Sequence, residues 1–191
     1  MPDDDYPLNL LCHPATPAPV VRALEAQAAW RPDGALVLAY RLWGDMARLL
    51  VPPPHAAEAT DFLWEHTCFE AFIGVRGESA YREYNFSPSG QWAAYAFSDY
   101  RQRDEAFTLS SAPQITTRLY AGRLEVEAIL LPVVLPPDAE RLELALSAVI
   151  EAADVVDGAH SYWALCHSTA RPDFHHRAAF TLELAAPRNA I

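Results

Sequence analysis

Three sets of side chains could carry chemistry. The first lies in WEHTCFEAFIGVRGESAYREYNFSPSGQWAAYAFSDY, Trp64 to Tyr100, where Trp64, His66, Cys68 and Glu70 fall at alternate positions. Alternate residues share one face of a strand, provided that the strand begins early enough. An unpaired buried carboxylate is costly, so Glu70 in an apolar strand calls for water, a ligand or an arginine such as Arg82 or Arg101. An aromatic platform beside a carboxylate and a guanidinium suits a sugar, whose C–H faces stack while its hydroxyls meet ionised groups. A structural salt bridge would use the same residues. Strict alternation puts Arg82 with Tyr84 and Phe86, and Glu83 with Asn85. Only one of Arg82 and Glu83 can therefore face Glu70, and the pattern leaves open which.

The second set is His160, Trp163, Cys166, His167, Asp173, His175 and His176, which with His66 and Cys68 offers soft donors for a transition metal. The spacing matches no standard zinc pattern and the histidines fall on different strand faces, so packed or surface histidines are expected and no metal site is assigned. Cys166 and His167 point to opposite faces, which leaves Cys68 with His66 or His167 as a nucleophile and base. Met46, with His160 or His167, could ligate haem. It follows Gly44-Asp45 at a turn, where a surface or gap-filling methionine is expected. No cofactor is assigned.

The positioning elements read as strands. Residues 1–19, rich in Pro and Asp, form an extended arm or an edge. Val20 to Trp30 is open between helix and strand. LVLAYRL alternates as a strand after Pro32-Asp33-Gly34, and one helical turn fits within His55 to Trp64. Thr67, Phe69, Ala71, Ile73 and Val75 share a core face opposite Cys68, Glu70 and Phe72. Turns at Gly77-Glu78-Ser79 and Ser87-Pro88-Ser89-Gly90 lead into AYREYNF and QWAAYAF, giving an antiparallel meander. A hairpin follows over Thr116 to Leu131. RLELALSAVIEAA is assigned as strand over helix because strands surround it. Asp157-Gly158 is a tight turn, SYWALCHS a strand, and FTLEL closes the fold. About nine short antiparallel strands without βαβ alternation imply an all-β fold, a β-sandwich.

The 191 residues, 51% of them apolar, suffice for one domain over 1–191. Three cysteines, Cys12, Cys68 and Cys166, without CxxC spacing suit a reducing interior. The acidic N-terminus lacks the charge of a secretory signal, and no apolar run approaches the roughly 18 residues of a membrane span, so a cytoplasmic protein without membrane partners is expected. A formal charge of −11 and the absence of lysine argue against nucleic acid as a partner.

The segments LWEHTCFEAFIG, YREYNFSPSGQWAAYAFSDYR and YWALCHSTARPDFHHRAAFTLEL resemble the bacterial DOMON-like proteins, relatives of family 9 carbohydrate-binding modules, over roughly Leu36 to Leu184. The resemblance implies an immunoglobulin-like β-sandwich with a sugar- or haem-binding role. By that likeness Trp64 and Glu70 match the tryptophan and glutamate that clasp the sugar, Arg82 the nearby arginine and Trp163 the second aromatic wall. The acidic cluster of those modules' structural calcium site has no counterpart. The expectation is a non-enzymatic domain for a small ligand, a saccharide or related polar metabolite, bound by Trp64, Glu70, Arg82 and Trp163. Its alternatives are a haem- or metal-binding domain, or an interaction domain using sheet edges and the Pro-rich arm.

Overall fold

The computed structural model describes residues 7–137, 141–153, 159–185 and 187. Among them run thirteen strands: β1 (Leu8–Asn9), β2 (Leu11–Cys12), β3 (Val21–Trp30), β4 (Leu36–Gly44), β5 (Cys68–Val75), β6 (Tyr81–Phe86), β7 (Trp92–Asp99), β8 (Gln102–Arg103), β9 (Gln114–Tyr120), β10 (Arg123–Leu130), β11 (Arg141–Ala152), β12 (Ala159–Ala164) and β13 (Leu182–Ala185). Nine answer to the strands read from the sequence. The others are β3, where helix and strand patterns competed, and the two-residue β1, β2 and β8, too short to carry a periodic signal. The Asp157-Gly158 turn and residues 1–6 of the arm lie outside the described residues.

Two sheets face each other as a sandwich. One has the order β1-β3-β4-β10-β9; the other runs β2-β12-β11-β5-β6-β7-β8, with β13 also paired to β11. The Pro-rich segment runs along the edges of both, since Leu8 pairs with Ala26 in the first sheet and Cys12 with Trp163 in the second. The pairings β5–β6 and β6–β7 are the expected antiparallel meander. Its turns place Gly77 at φ 85° and Gly90 at φ 95°, where a side chain would strain the backbone.

The core between the sheets joins Leu36, Leu38, Tyr40, Leu124, Val126 and Leu130 to Phe69, Ala71, Ile73, Tyr84, Phe86, Leu144 and Leu146. Tyr40 closes it: its hydroxyl donates to the Glu70 carbonyl at 2.7 Å and its ring lies 5.1 Å from that of Phe69. The expected inner and outer faces of β5 are thus present, but seven of its eight residues are buried, so the outer face is covered too. A second cluster, including Leu63, Cys68, Phe72, Tyr81, Tyr95, Phe97, Phe174 and Phe180, covers it. The C-terminal loop that supplies Phe174 and Phe180 is tied to the sheet by Arg177, which donates to Glu143 at 2.7 Å and to the Val75 carbonyl at 3.2 Å. Gly74 makes this possible, because a Cβ there would collide with the Arg177 guanidinium.

Candidate functional site

Where the outer cover is incomplete, a cavity of about 410 Å³ opens over β5, β6, β7, β11 and β12. Antiparallel register decides what points into it. Glu70 pairs with Asn85 and with Ser147, Phe72 with Glu83, and Glu83 with Tyr95, so these residues share the outer face. Val149 and Tyr162 join them from β11 and β12, and Pro172, Asp173, Phe174 and His175 from the C-terminal loop. Trp64 enters from the 3-10 turn Leu63–Glu65, its ring 5.8 Å from Tyr95 and 5.5 Å from Phe62. Rings and carboxyl groups therefore converge on one space.

The floor is acidic. Glu70 is 2% exposed and Glu83 5%. Ser147 Oγ donates to Glu70 Oε2 at 3.4 Å, and Asn85 Nδ2 to Glu83 Oε1 at 2.7 Å. Burial, and then the charge of Glu83, pushes the Glu70 acid well above the usual range, against the Ser147 hydrogen bond. Burial also lifts Glu83 to about 7, against the Asn85 hydrogen bond and the positive fields of Arg101 and Arg103. One rim wall is a relay: the Arg101 backbone N–H donates to Tyr81 Oη at 3.1 Å, and Tyr81 Oη lies 2.9 Å from His175 Nδ1. On the ring's other side His175 Nε2 lies 3.7 Å from Glu83 Oε2. Burial, then Arg101, draws His175 down to about 4, so the ring is neutral at pH 7.

The rim's arginines sit on or beside a two-residue hairpin turn. Asp99 pairs with Gln102, leaving Tyr100 and Arg101 at the bend, with Arg101 at φ 54°. Arg101 Nη2 binds Asp173 Oδ1 at 3.1 Å, and Tyr100 Oη donates to Asp173 Oδ2 at 2.7 Å. Burial would raise Asp173, but these donors and the His175 N–H outweigh it and hold the acid below its usual range. Arg103 lies 4.3 Å over the Tyr95 ring and pairs with Glu105 at 3.4 Å. Tyr95 in turn donates to Asp61 at 2.6 Å. Phe62, beside Trp64, is the other non-glycine residue at positive φ, 64°, among the described residues. Both outliers flank this cavity, and such backbone strain tends to gather at functional sites.

The structure joins Trp64 and Glu70 as expected and separates them from Arg82 and Trp163. Arg82 pairs with Ile73, whose side chain faces the core, and its guanidinium donates to the Val134 carbonyl at 2.8 Å and rests 5.2 Å over Phe107. Glu83 is the neighbour that turns toward Glu70. Trp163 pairs with Ala148 on the core face and its indole donates to Ser161 Oγ at 2.9 Å, so Tyr162 takes the place expected of it. The guanidiniums at the cavity are those of Arg101 and Arg103.

The other sets do not converge. Cys68 is fully enclosed, its thiol pushed well up by burial and then by Glu70. His66 is bound to Glu151 at 3.0 Å, and His167 to the Leu11 carbonyl at 2.8 Å, so neither serves Cys68 as a base. His160 binds the Glu65 carbonyl at 2.8 Å. Met46 packs against the core beside Gly44. Asp173 and His175, weighed as metal donors, are rim residues of the cavity.

No protein-family model matches the sequence, and no curated protein matches it. Solved structures do. A protein from Bacteroides uniformis assigned as carbohydrate-binding superposes with a TM-score of 0.65 at 14% identity, over 94% of this chain and 84% of its own. A family 9 carbohydrate-binding module from Caldicellulosiruptor kristjanssonii in complex with glucose gives a TM-score of 0.58 at 11% identity, over 96% of this chain and 87% of its own. With cellotriose the TM-score is 0.55 at 13% identity, over 95% and 86%. This chain has their β-sandwich fold. At these identities the likeness is one of fold, so the residues of the cavity carry the functional argument.

Proposed function

We propose that this chain is a non-enzymatic small-ligand-binding domain whose cavity takes a saccharide or a related polar metabolite. The observation that carries the reading is the convergence of Trp64, Phe72, Tyr95, Phe97, Tyr162 and Phe174 around Glu70, Glu83 and Arg101 in one space of about 410 Å³. That volume lies within the range of small-molecule sites. Aromatic faces accept the C–H surfaces of a sugar ring, while carboxyl and guanidinium groups fix its hydroxyls. The family 9 module with the same sandwich binds glucose and cellotriose, which supports the choice of ligand class. The DOMON-like resemblance of the sequence points the same way. Cys68, weighed as a nucleophile, is fully enclosed with its thiol pushed well up by burial, which speaks against it in that role.

The test is thermal unfolding against a panel of mono- and disaccharides, followed by calorimetric titration of the hits. A saccharide at a hundred times its dissociation constant should add about 2.7 kcal/mol of stability. No shift across the panel refutes the saccharide reading.

A further inference from the structure

We infer that the ligand of this cavity carries a primary ammonium group, as an amino sugar does, and that Glu70 and Glu83 receive it. The inference rests on the saccharide reading and narrows it.

Its basis is a mismatch of partners. Each arginine at the cavity already has an acid: Arg101 holds Asp173 at 3.1 Å and Arg103 holds Glu105 at 3.4 Å. The two floor acids have no such partner. The Glu70 side chain receives one hydrogen bond, from Ser147 at 3.4 Å, and Glu83 one at 2.7 Å, from the neutral Asn85. The nearest basic side chain to Glu83 is His175 at 3.7 Å, a neutral ring. The chain has no lysine to supply a cation from elsewhere. Two buried carboxyl groups thus line an open space with no charged side chain in ion-pair contact with either, Arg101 and Arg103 reaching Glu83 through their fields alone.

A neutral sugar does not need this arrangement. Hydroxyl donors are accepted as well by amide or backbone oxygens, which bury at lower cost than carboxylates. A primary ammonium does fit: its three N–H donors match acceptors on two carboxylates, and charge-assisted hydrogen bonds are among the strongest available. The walls favour it as well, because the faces of Trp64, Tyr95 and Phe97 attract a cation. A quaternary ammonium would use the rings but leave the carboxylates without donors.

The titratable and charged groups facing the two acids are Cys68 on β5, Tyr81 on β6, Tyr95 on β7, Arg101 at the β7–β8 turn, Arg103 on β8, Tyr162 on β12, and Asp173 and His175 on the C-terminal loop. Cys68, Tyr81 and Tyr95 stay neutral and Arg101 and Asp173 stay charged from pH 5.5 to 7.5, where His175 is also neutral. In that interval Glu83 ionises, near 7, so affinity for the cation should rise with pH, an effect moderated at the upper end where the sugar's own amine begins to lose its proton.

The experiment is calorimetric titration of the whole chain with D-glucosamine, D-glucose and N-acetyl-D-glucosamine at pH 5.5 and 7.5. Glucosamine should bind about 10 to 100 times more tightly than glucose at pH 7.5, the range that hydrogen bonds to charged groups provide. The preference should shrink at pH 5.5, and N-acetylglucosamine, which keeps the bulk and loses the charge, should gain nothing over glucose. E70Q and E83Q, each checked for native circular dichroism, should lose the preference for glucosamine over glucose. Equal or tighter binding of glucose to the native chain overturns the ammonium inference and leaves the saccharide reading standing. A preference that survives both substitutions overturns the assignment to Glu70 and Glu83. Binding of none of the three overturns this inference, and the saccharide reading is then decided by the full panel of mono- and disaccharides.

Discussion

Replacing Glu83 by Gln should separate two titrations that oppose each other in the native protein. Glu83 titrates near 7 when folded, against an ordinary value of 4.5. Between those limits the folded protein keeps a proton that the unfolded chain has released. The stability contributed is therefore complete below pH 4.5 and lost as pH rises through 7, about 3 kcal/mol in all at about 1.4 kcal/mol per pH unit. His175 has the opposite sign. Drawn from 6.5 to about 4, it is neutral when folded where the unfolded chain would be protonated, so its contribution is complete above pH 6.5 and lost as pH falls through 4. The magnitude is again about 3 kcal/mol. From pH 4.5 to 6.5 the two slopes cancel, and native stability should be nearly flat. Gln can still accept the Asn85 hydrogen bond while carrying no charge, so E83Q should match the native protein near pH 4.5. At pH 7.5 it should exceed it by about 3 kcal/mol, its own stability rising by about 1.4 kcal/mol per unit from pH 4.5 to 6.5 and then levelling. Loss of the Glu83 charge also relieves Glu70, which acts in the same direction. Urea unfolding followed by tryptophan fluorescence at half-unit pH steps measures this. An E83Q protein less stable than the native one at pH 7.5, or a difference independent of pH, would refute the reasoning.

Three further outcomes follow from the site's geometry. Trp64→Ala should weaken ligand binding by about 1 to 2 kcal/mol in calorimetric titration while changing the unfolding midpoint little, because the ring is half-buried at the cavity rim and outside the main core. Arg82→Ala and Trp163→Phe should each cost about 1 to 2 kcal/mol in urea unfolding and leave ligand affinity unchanged, since both side chains serve the core side of the sheet. Phe62→Asn should raise the stability of the ligand-free protein by about 1 kcal/mol, because asparagine tolerates φ 64° better than a bulky ring that is 59% exposed.

The face that builds the sandwich was legible because its signal is local. Phe69, Ala71 and Ile73 repeat with period two, and the Gly77 and Gly90 turns fix where the meander folds back. The site was half legible because register is not local. Whether Arg82 or Glu83 faces Glu70 depends on Arg82 pairing with the inward Ile73, and AYREYNF carries polar and aromatic residues at both parities. SYWAL has the same weakness: Tyr162 and Trp163 are both large aromatics, and the pairing of Trp163 with Ala148 decides which looks inward. Leu142, Leu144, Leu146, Ala148 and Ile150 share one face of β11, and only the register of β12 against it separates Trp163 from Tyr162. Arg101 and Arg103 gave one usable signal, two guanidiniums beside the end of the QWAAYAF strand. Asp173 and His175 gave a misleading one, because a loop dense in histidine and aspartate suggests metal before it suggests a lid over distant strands.

The features that cost stability lie on one side of the molecule. Leucines, alanines and aromatic rings fill the space between the sheets, while the opposite face of the second sheet holds two buried acids, a neutral histidine, and two residues at positive φ, Arg101 at the cavity and Phe62 against Trp64. Local rules broken together at one cavity mark a place shaped for something other than packing. Glu70 makes the point best: a small apolar residue opposite Ser147 would satisfy the sheet with no charge to bury. Its retention in the middle of β5 gains a physical reason once a ligand supplies the donors that the protein withholds. The stabilisation such a ligand confers should then follow the ionisation of the floor, growing from pH 5.5 to 7.5 for a cationic sugar and staying level or declining for a neutral one.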